Sequence, residues 1–335
     1  MTLPPGHAEV PKPQVGVLLI NLGTPDAPTA AAVRRYLAEF LSDRRVIEIP
    51  AIAWKPILHG IILRTRPRKS AHAYRQIWTN EGSPLAVIAA RQAEALKQRF
   101  GDHVKVEFAM RYGNPGIASA IDRMTRAGCT RILAAPLYPQ YCAATTATAN
   151  DAVFAALAAR RVQPALRTLP PYHDDPLYIE ALRANLTRQL AALDFVPDRL
   201  LLSFHGMPQR TLALGDPYHC HCRKTARLLS EALGRDVDVA FQSRFGRAKW
   251  LEPATDATLA SYAKAGVDRI AVAAPGFSAD CLETLEELGI RGRETFLSAG
   301  GKRFALLDCL NDSPESVKLL EQLVMRELEG WLPQT

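Results

Sequence analysis

The sequence predicts an α/β protein made of two copies of one unit, each a parallel sheet flanked by helices. Three observations carry that prediction. Short β-rich runs alternate with helical patterns along the 335 residues, which is the order parallel sheets require. Three landmarks recur in the same order in the two halves: "LLINLGTP" with "LLSFHGMP", "RYG" with "RFG", and "AGCTRILAAP" with "AGVDRIAVAAP". Polar residues then gather just past the ends of the candidate strands.

Taken in order, the strands are Val15–Leu22, Val104–Met110, Arg131–Ala135 and Ala165–Leu169 in the first copy. Leu200–Phe204, Val237–Phe241 and Arg269–Ala273 follow in the second. Helical patterns separate them at Ala30–Leu41, Ile117–Ala127, Pro176–Leu193, Thr225–Leu233 and Asp256–Ala265. Ser313 and Pro314 read as the cap and first position of a closing amphipathic helix. The expected division is a disordered lead over 1–13, a first half over 14–172 joined by 313–335, and a second half over 173–312. The chain is long enough for each half to hold a core of its own. The first copy is about 50 residues longer, largely through "IPAIAWKPILHGIILRTRPRKSAHAYRQIW", an apolar then basic stretch. It reads either as an ordinary helix packed on the sheet or as an apolar lip with a basic rim.

Composition excludes several classes. Hydrophobic residues make up 48% and charged residues 22%, as in folded soluble proteins. The formal charge of +7 suits an anionic ligand or surface but is weak ground for a nucleic-acid role. No stretch looks transmembrane, no signal peptide opens the chain, and six scattered cysteines suggest free thiols in a reducing compartment. The turn "NLGTPDAP" lacks the dinucleotide-binding glycine pattern, and "SAGGKR" is not a P-loop.

Ligands of parallel α/β sheets bind beyond the carboxyl ends of strands. Asn21, Arg111, Tyr112, Tyr138, Tyr141, His205, Gln242, Ser243 and Arg244 fall there. The duplication acts as a control: His205 takes the place of Leu22, and Glu283 that of Ala144. A shared scaffold needs neither a histidine nor a carboxylate at those places, so the chemistry belongs to the second half. Asp280, Glu283 and Glu287 would share one face of a helix starting near Asp280, with Glu286 an ordinary surface residue. That face reads as a path for protons or cations. "YHCHC" invites a metal–sulfur site, but no CxxC spacing occurs. In an extended segment its alternate residues would face opposite sides. His205 therefore works apart from that run. Cys142 and Cys281 hold equivalent places and read as packing positions.

"GVLLINLGTPDAP", "FAMRYGNP", "PLYPQY", "SFHGMP", "GDPY", "QSRFG", "WLEP" and "DCLETLEELG" resemble the ferrochelatases, which insert ferrous iron into protoporphyrin IX to form protoheme. The resemblance runs from about Gly16 to Val324. It implies the chelatase fold: two similar Rossmann-like domains, each a four-stranded parallel sheet flanked by helices, with the porphyrin between them. His205 matches the family's active-site histidine and Glu283 its essential glutamate. Asp280 and Glu287 match the acids beside it, and these four are the implied iron-handling set. Arg111, Tyr112, Ser243 and Trp250 match ring-holding positions, and the Ile52–Ile62 segment, with Ile52, Trp54 and Ile57, resembles the lip. The implied partners are porphyrin, Fe²⁺, the inner membrane and the preceding porphyrinogen-oxidising enzyme, with a cytoplasmic location. Some members carry a [2Fe–2S] cluster on a C-terminal extension. Here no cysteine follows Cys309, and a cluster would need Cys142, Cys220, Cys222 and another thiol.

Metallation removes two pyrrole protons and strips water from Fe²⁺. The expected assignment makes His205 the proton acceptor, with Glu283, Asp280 and Glu287 passing protons or Fe²⁺ along their face. His205 as first iron ligand is the alternative. Rival readings are a chelatase for coproporphyrin III, a cobalt chelatase, and a non-catalytic porphyrin carrier. The apolar insert favours protoporphyrin.

Overall fold

The computed structural model describes Gly6, residues 13–244, Gly246 and residues 248–332. The expected lead over 1–13 therefore lies almost wholly outside the described residues.

The first sheet begins with β1 (Gln14–Thr24), buried along nearly its whole length. A continuous apolar run is what a strand covered on both faces requires. Next come α1 (Ala30–Phe40), capped by Thr29, then α2 (Ala51–Ile57), a π-helical stretch over Leu58–Ile62, and α3 (Leu63–Ile77). These last three form the long insert. The unit closes with α4 (Pro84–Phe100), β2 (Val104–Gly113), α5 (Ile117–Arg126), β3 (Cys129–Pro136), a π-helical turn over Ala143–Ala147, α6 (Thr148–Ala158) and β4 (Ala165–Thr168). All neighbours are parallel, in the order β2-β1-β3-β4.

The second unit repeats the plan. After α7 (Pro176–Ala192) come β5 (Arg199–His205), α8 (Gln209–Ala213), α9 (Tyr218–Leu233), β6 (Asp238–Gln242), α10 (Thr255–Lys264) and β7 (Arg269–Ala273). A π-helical segment over Glu283–Gly292, α11 (Arg293–Ser298) and β8 (Arg303–Leu307) complete it, with parallel order β6-β5-β7-β8. Both copies thus place a π-helical turn after their third strand. The chain closes with α12 (Pro314–Glu327), where Ser313 accepts from the Ser316 amide as expected. This helix packs on α4 and β3 of the first unit and on α7.

Four expectations change. Arg303–Leu307, outside the expected strands, is an edge strand, half-exposed along much of its length. α9 starts at Tyr218 rather than Thr225, so "YHCHC" is helical and not extended. The largest apolar cluster is shared: Leu19 and Leu133 of the first sheet, Leu202 and Ala271 of the second, and Leu320 and Val324 of α12 belong to one core. Smaller cores private to each sheet lie on the other faces. Lastly, "RYG" and "RFG" are not structural equivalents. The Met110 amide donates to Pro115 and the Phe241 amide to Pro253, which makes Gln242, not Arg244, the counterpart of Arg111.

Candidate active site

His205 is the last residue of β5, half-buried at the carboxyl end of a central strand. Its Nδ1 lies 2.7 Å from the Gly206 carbonyl oxygen. A carbonyl only accepts, so Nδ1 carries a proton, and in the neutral ring Nε2 keeps its lone pair. Gly206 lets the neighbouring strand come close: a Cβ there would sit 2.4 Å from the Gln242 carbonyl oxygen and 3.3 Å from Trp250. The matching Gly23 is tighter still, 1.8 Å from the Tyr112 carbonyl oxygen. The duplication therefore keeps a glycine at both strand ends for the same steric reason.

Gln242 pairs in register with His205 and joins it to the acidic segment. Its Nε2 donates to the Glu283 carbonyl at 2.7 Å, and its Oε1 accepts from Ser203 Oγ at 2.8 Å. Ser243, left-handed at φ 63, donates through its amide (2.7 Å) and hydroxyl (2.6 Å) to Glu287. In a π-helix the widened turn brings residues four apart nearly into line, so Glu283 and Glu287 share a face. Asp280 is buried at the segment's start and accepts from Thr284 Oγ1 (2.8 Å) and Asn311 Nδ2 (2.6 Å). Asp280 and Glu287 thus act as fasteners for the segment that carries Glu283. Glu286 corrects its expected role: it is buried and clamped by the Arg291 guanidinium at 2.9–3.1 Å. Among the described residues, no three His, Cys, Asp or Glu side chains converge as a metal-binding group.

The first unit reaches this segment through the insert. Leu282 packs against Val33, Ala71 and Tyr74 of α1 and α3. Burial, then the Glu283 carboxylate, holds the Tyr74 phenol well above its usual pKa. At the end of β2, Arg111 is partly exposed, whereas Tyr112 is fully buried with its hydroxyl on Asp43 at 2.8 Å. Tyr112 therefore lies under the surface and is no exposed wall. Ile52, Ile57 and Ile61 are exposed at 89%, 40% and 58%. Trp54, by contrast, turns inward, donating from Nε1 to the Leu41 carbonyl at 2.6 Å. It anchors the insert from beneath.

The His/Cys run latches the two units together. His221 Nδ1 accepts from the Tyr141 amide (3.1 Å), Asp216 from the Ala143 amide (2.8 Å), and Thr225 Oγ1 from Gln140 Nε2 (3.1 Å). Cys142 and Cys222 are buried, while Cys220 is exposed on the helix. Burial pushes the Cys142 thiol up to about 12. A [2Fe–2S] cluster wants four gathered thiolates, and these three cysteines do not fit one. Nothing local in the sequence marks Asp43, Thr148 or Tyr74.

The ferrochelatase family model matches residues 14–328. The chain belongs to the ferrochelatase family. It is 55% identical to the ferrochelatase of Rhizobium meliloti (strain 1021), over 97% of this chain and 98% of that relative. It is 53% identical to that of Agrobacterium fabrum, over 98% of both chains. Among solved structures, SirB from Bacillus subtilis with Fe³⁺ shares the fold at a TM-score of 0.58 and 13% identity, covering 95% of this chain and 98% of that one. As a family member, the protein is a lyase of heme biosynthesis that inserts ferrous iron into a porphyrin. No helix among the described residues is long and apolar enough to cross a membrane.

Proposed function

We propose that the enzyme inserts Fe²⁺ into protoporphyrin IX at the carboxyl ends of β5 and β6, with His205 as acceptor of the pyrrole protons. The supporting observation is the contact of His205 Nδ1 with the Gly206 carbonyl: in the neutral ring it takes the Nδ1–H and leaves Nε2 as the basic atom at the strand end. A free imidazole nitrogen can accept a proton and pass it on, which suits the base of this step. Glu283 is assigned as the partner carboxylate, on a segment tied to the His205 strand end through Gln242. Glu287 and Asp280 hold the π-helical segment, and Arg111, Ser243 and Trp250 line the ring's place. A ring pressed against fixed walls is bent from planarity using binding energy gained over its whole face, and bending exposes the pyrrole lone pairs. We also propose that the halves divide at residues 172 and 312, with α12 returning to the first.

The exposed isoleucines favour an apolar ring over the carboxylate-rich coproporphyrin III, and Lys55, Arg64, Arg68 and Lys69, exposed on the same insert, suit contact with an anionic membrane. The test is anaerobic Fe²⁺ insertion into protoporphyrin IX and coproporphyrin III side by side, followed by loss of porphyrin fluorescence. Faster turnover of coproporphyrin would move the enzyme to another pathway step. Iron binding without porphyrin separates the roles of His205: undiminished affinity in His205→Ala supports the base, and lost affinity makes His205 an iron ligand.

A further inference from the structure

The carboxylate of Asp43 joins three elements. It stands between α1 and α2, at the root of the insert. Its Oδ2 accepts from Tyr112 Oη at 2.8 Å, from Thr148 Oγ1 and from the Arg111 guanidinium. Its Oδ1 accepts from the Arg45 amide at 2.7 Å. Arg111 is fixed further: Nε donates to the Thr148 hydroxyl at 2.7 Å and carbonyl at 2.9 Å, and the guanidinium lies 4.3 Å from the Tyr112 ring centroid. Burial alone would raise the Asp43 pKa. Hydrogen bonds from Thr148, Arg45 and Tyr112, with the Arg111 charge, outweigh it and keep the carboxyl below its usual value.

Exposed ion pairs contribute little, but here the side chains are only 18% and 9% exposed, and each has several donors or acceptors engaged. Arg111 therefore has one stance, and that stance depends on where the insert's root places Asp43. We propose that Asp43 is a positioning residue that holds Arg111 ready for the anionic edge of the porphyrin and ties that readiness to the seating of the lip. The proposal rests on Arg111 as a ring contact, as read under Proposed function.

Asp43→Asn keeps the shape but removes the charge and turns an amide toward the guanidinium. The KM for protoporphyrin should rise about tenfold, the effect of losing one charged hydrogen bond, with kcat and the KM for Fe²⁺ within about twofold. In an Arg111→Ala background the same change should alter the porphyrin KM by less than about twofold, because the residue it acts through is gone. A full tenfold effect in both backgrounds overturns the proposal. So does an unchanged porphyrin KM in Asp43→Asn when Arg111→Ala raises it. An unchanged KM in Arg111→Ala overturns the reading of Arg111 first, and this proposal with it. Should Asp43→Asn fail to fold, Thr148→Val removes one spoke with the carboxylate intact. It should raise the porphyrin KM about threefold, and no rise overturns the proposal.

Discussion

His173 and His221 stack face to face on the second unit's side of the junction, with ring centroids 3.5 Å apart and planes within 5°. His221 also accepts from the Tyr141 amide, so the latch works with that ring neutral.

Acid should therefore loosen the junction. Burial first, then the neighbouring His221, lowers His173 from 6.5 to about 4, and burial lowers His221 too. Both pKa values are depressed on folding, so the unfolded chain takes up protons first. Stability is intact above pH 6.5 and falls as pH drops toward 4. For His173 the loss is at most about 3 kcal/mol, less as water screens the rings. Urea unfolding at pH 7.5 and 5.0 measures it. His173→Phe keeps the stack, removes this proton and should flatten the dependence; an unchanged pH slope would count against the stack as its source.

Gly206→Ala should be severe. The added methyl meets the Gln242 backbone oxygen at 2.4 Å, and backbone cannot step aside as a flexible side chain can. Expected are a stability loss of about 3 kcal/mol and a displaced His205, read as a lower Tm with little insertion activity. Gly215→Ala is the contrast: nothing stands within 4 Å, and the cost there is only the strain of φ 92.

Gln242→Leu tests the bridge between β5 and the acidic segment. Ser203 keeps Thr255 as a partner at 2.8 Å, so the main casualty is the bond to the Glu283 carbonyl. A loss of about 1–2 kcal/mol in stability should accompany a larger fall in kcat than rise in porphyrin KM. Equal changes in both would mean that Gln242 shapes the ring's seat rather than the acid's position.

The parts that were legible share a physical trait. β1 and β5 are central parallel strands, so burial on both faces wrote them as unbroken apolar runs, and the repeat of one scaffold set His205 against Leu22 and Glu283 against Ala144. Edge position hid β8. The start of α9 is marked by "GDPY", since Asp216 accepts from the Tyr218 amide at 3.0 Å and Pro217 precedes the first turn, but the polar run after it lacks an apolar helical period. Asp43 could not be read at all: its partners Arg111 and Thr148 stand 68 and 105 positions away, and a buried acid looks in sequence like any surface one. Glu286 likewise looks in sequence like a surface acid, because its burial and its clamp by Arg291 exist only in the fold.

The lip should behave as a membrane contact as well as a seat for the ring. Ile52 and Ile61 are the most exposed of its isoleucines, and the support beneath them, Trp54 and Leu58, is buried and separate. Ile52→Asp with Ile61→Asp should therefore leave the Tm within about 2 °C, as surface changes do. Burying an isoleucine side chain is worth about 2 kcal/mol, so losing two should weaken binding to vesicles of anionic phospholipid by more than about a hundredfold. Insertion of Fe²⁺ into detergent-dispersed porphyrin should change far less. Undiminished vesicle binding, measured by co-sedimentation, would remove the lip from the membrane contact and leave its apolar face to the porphyrin alone.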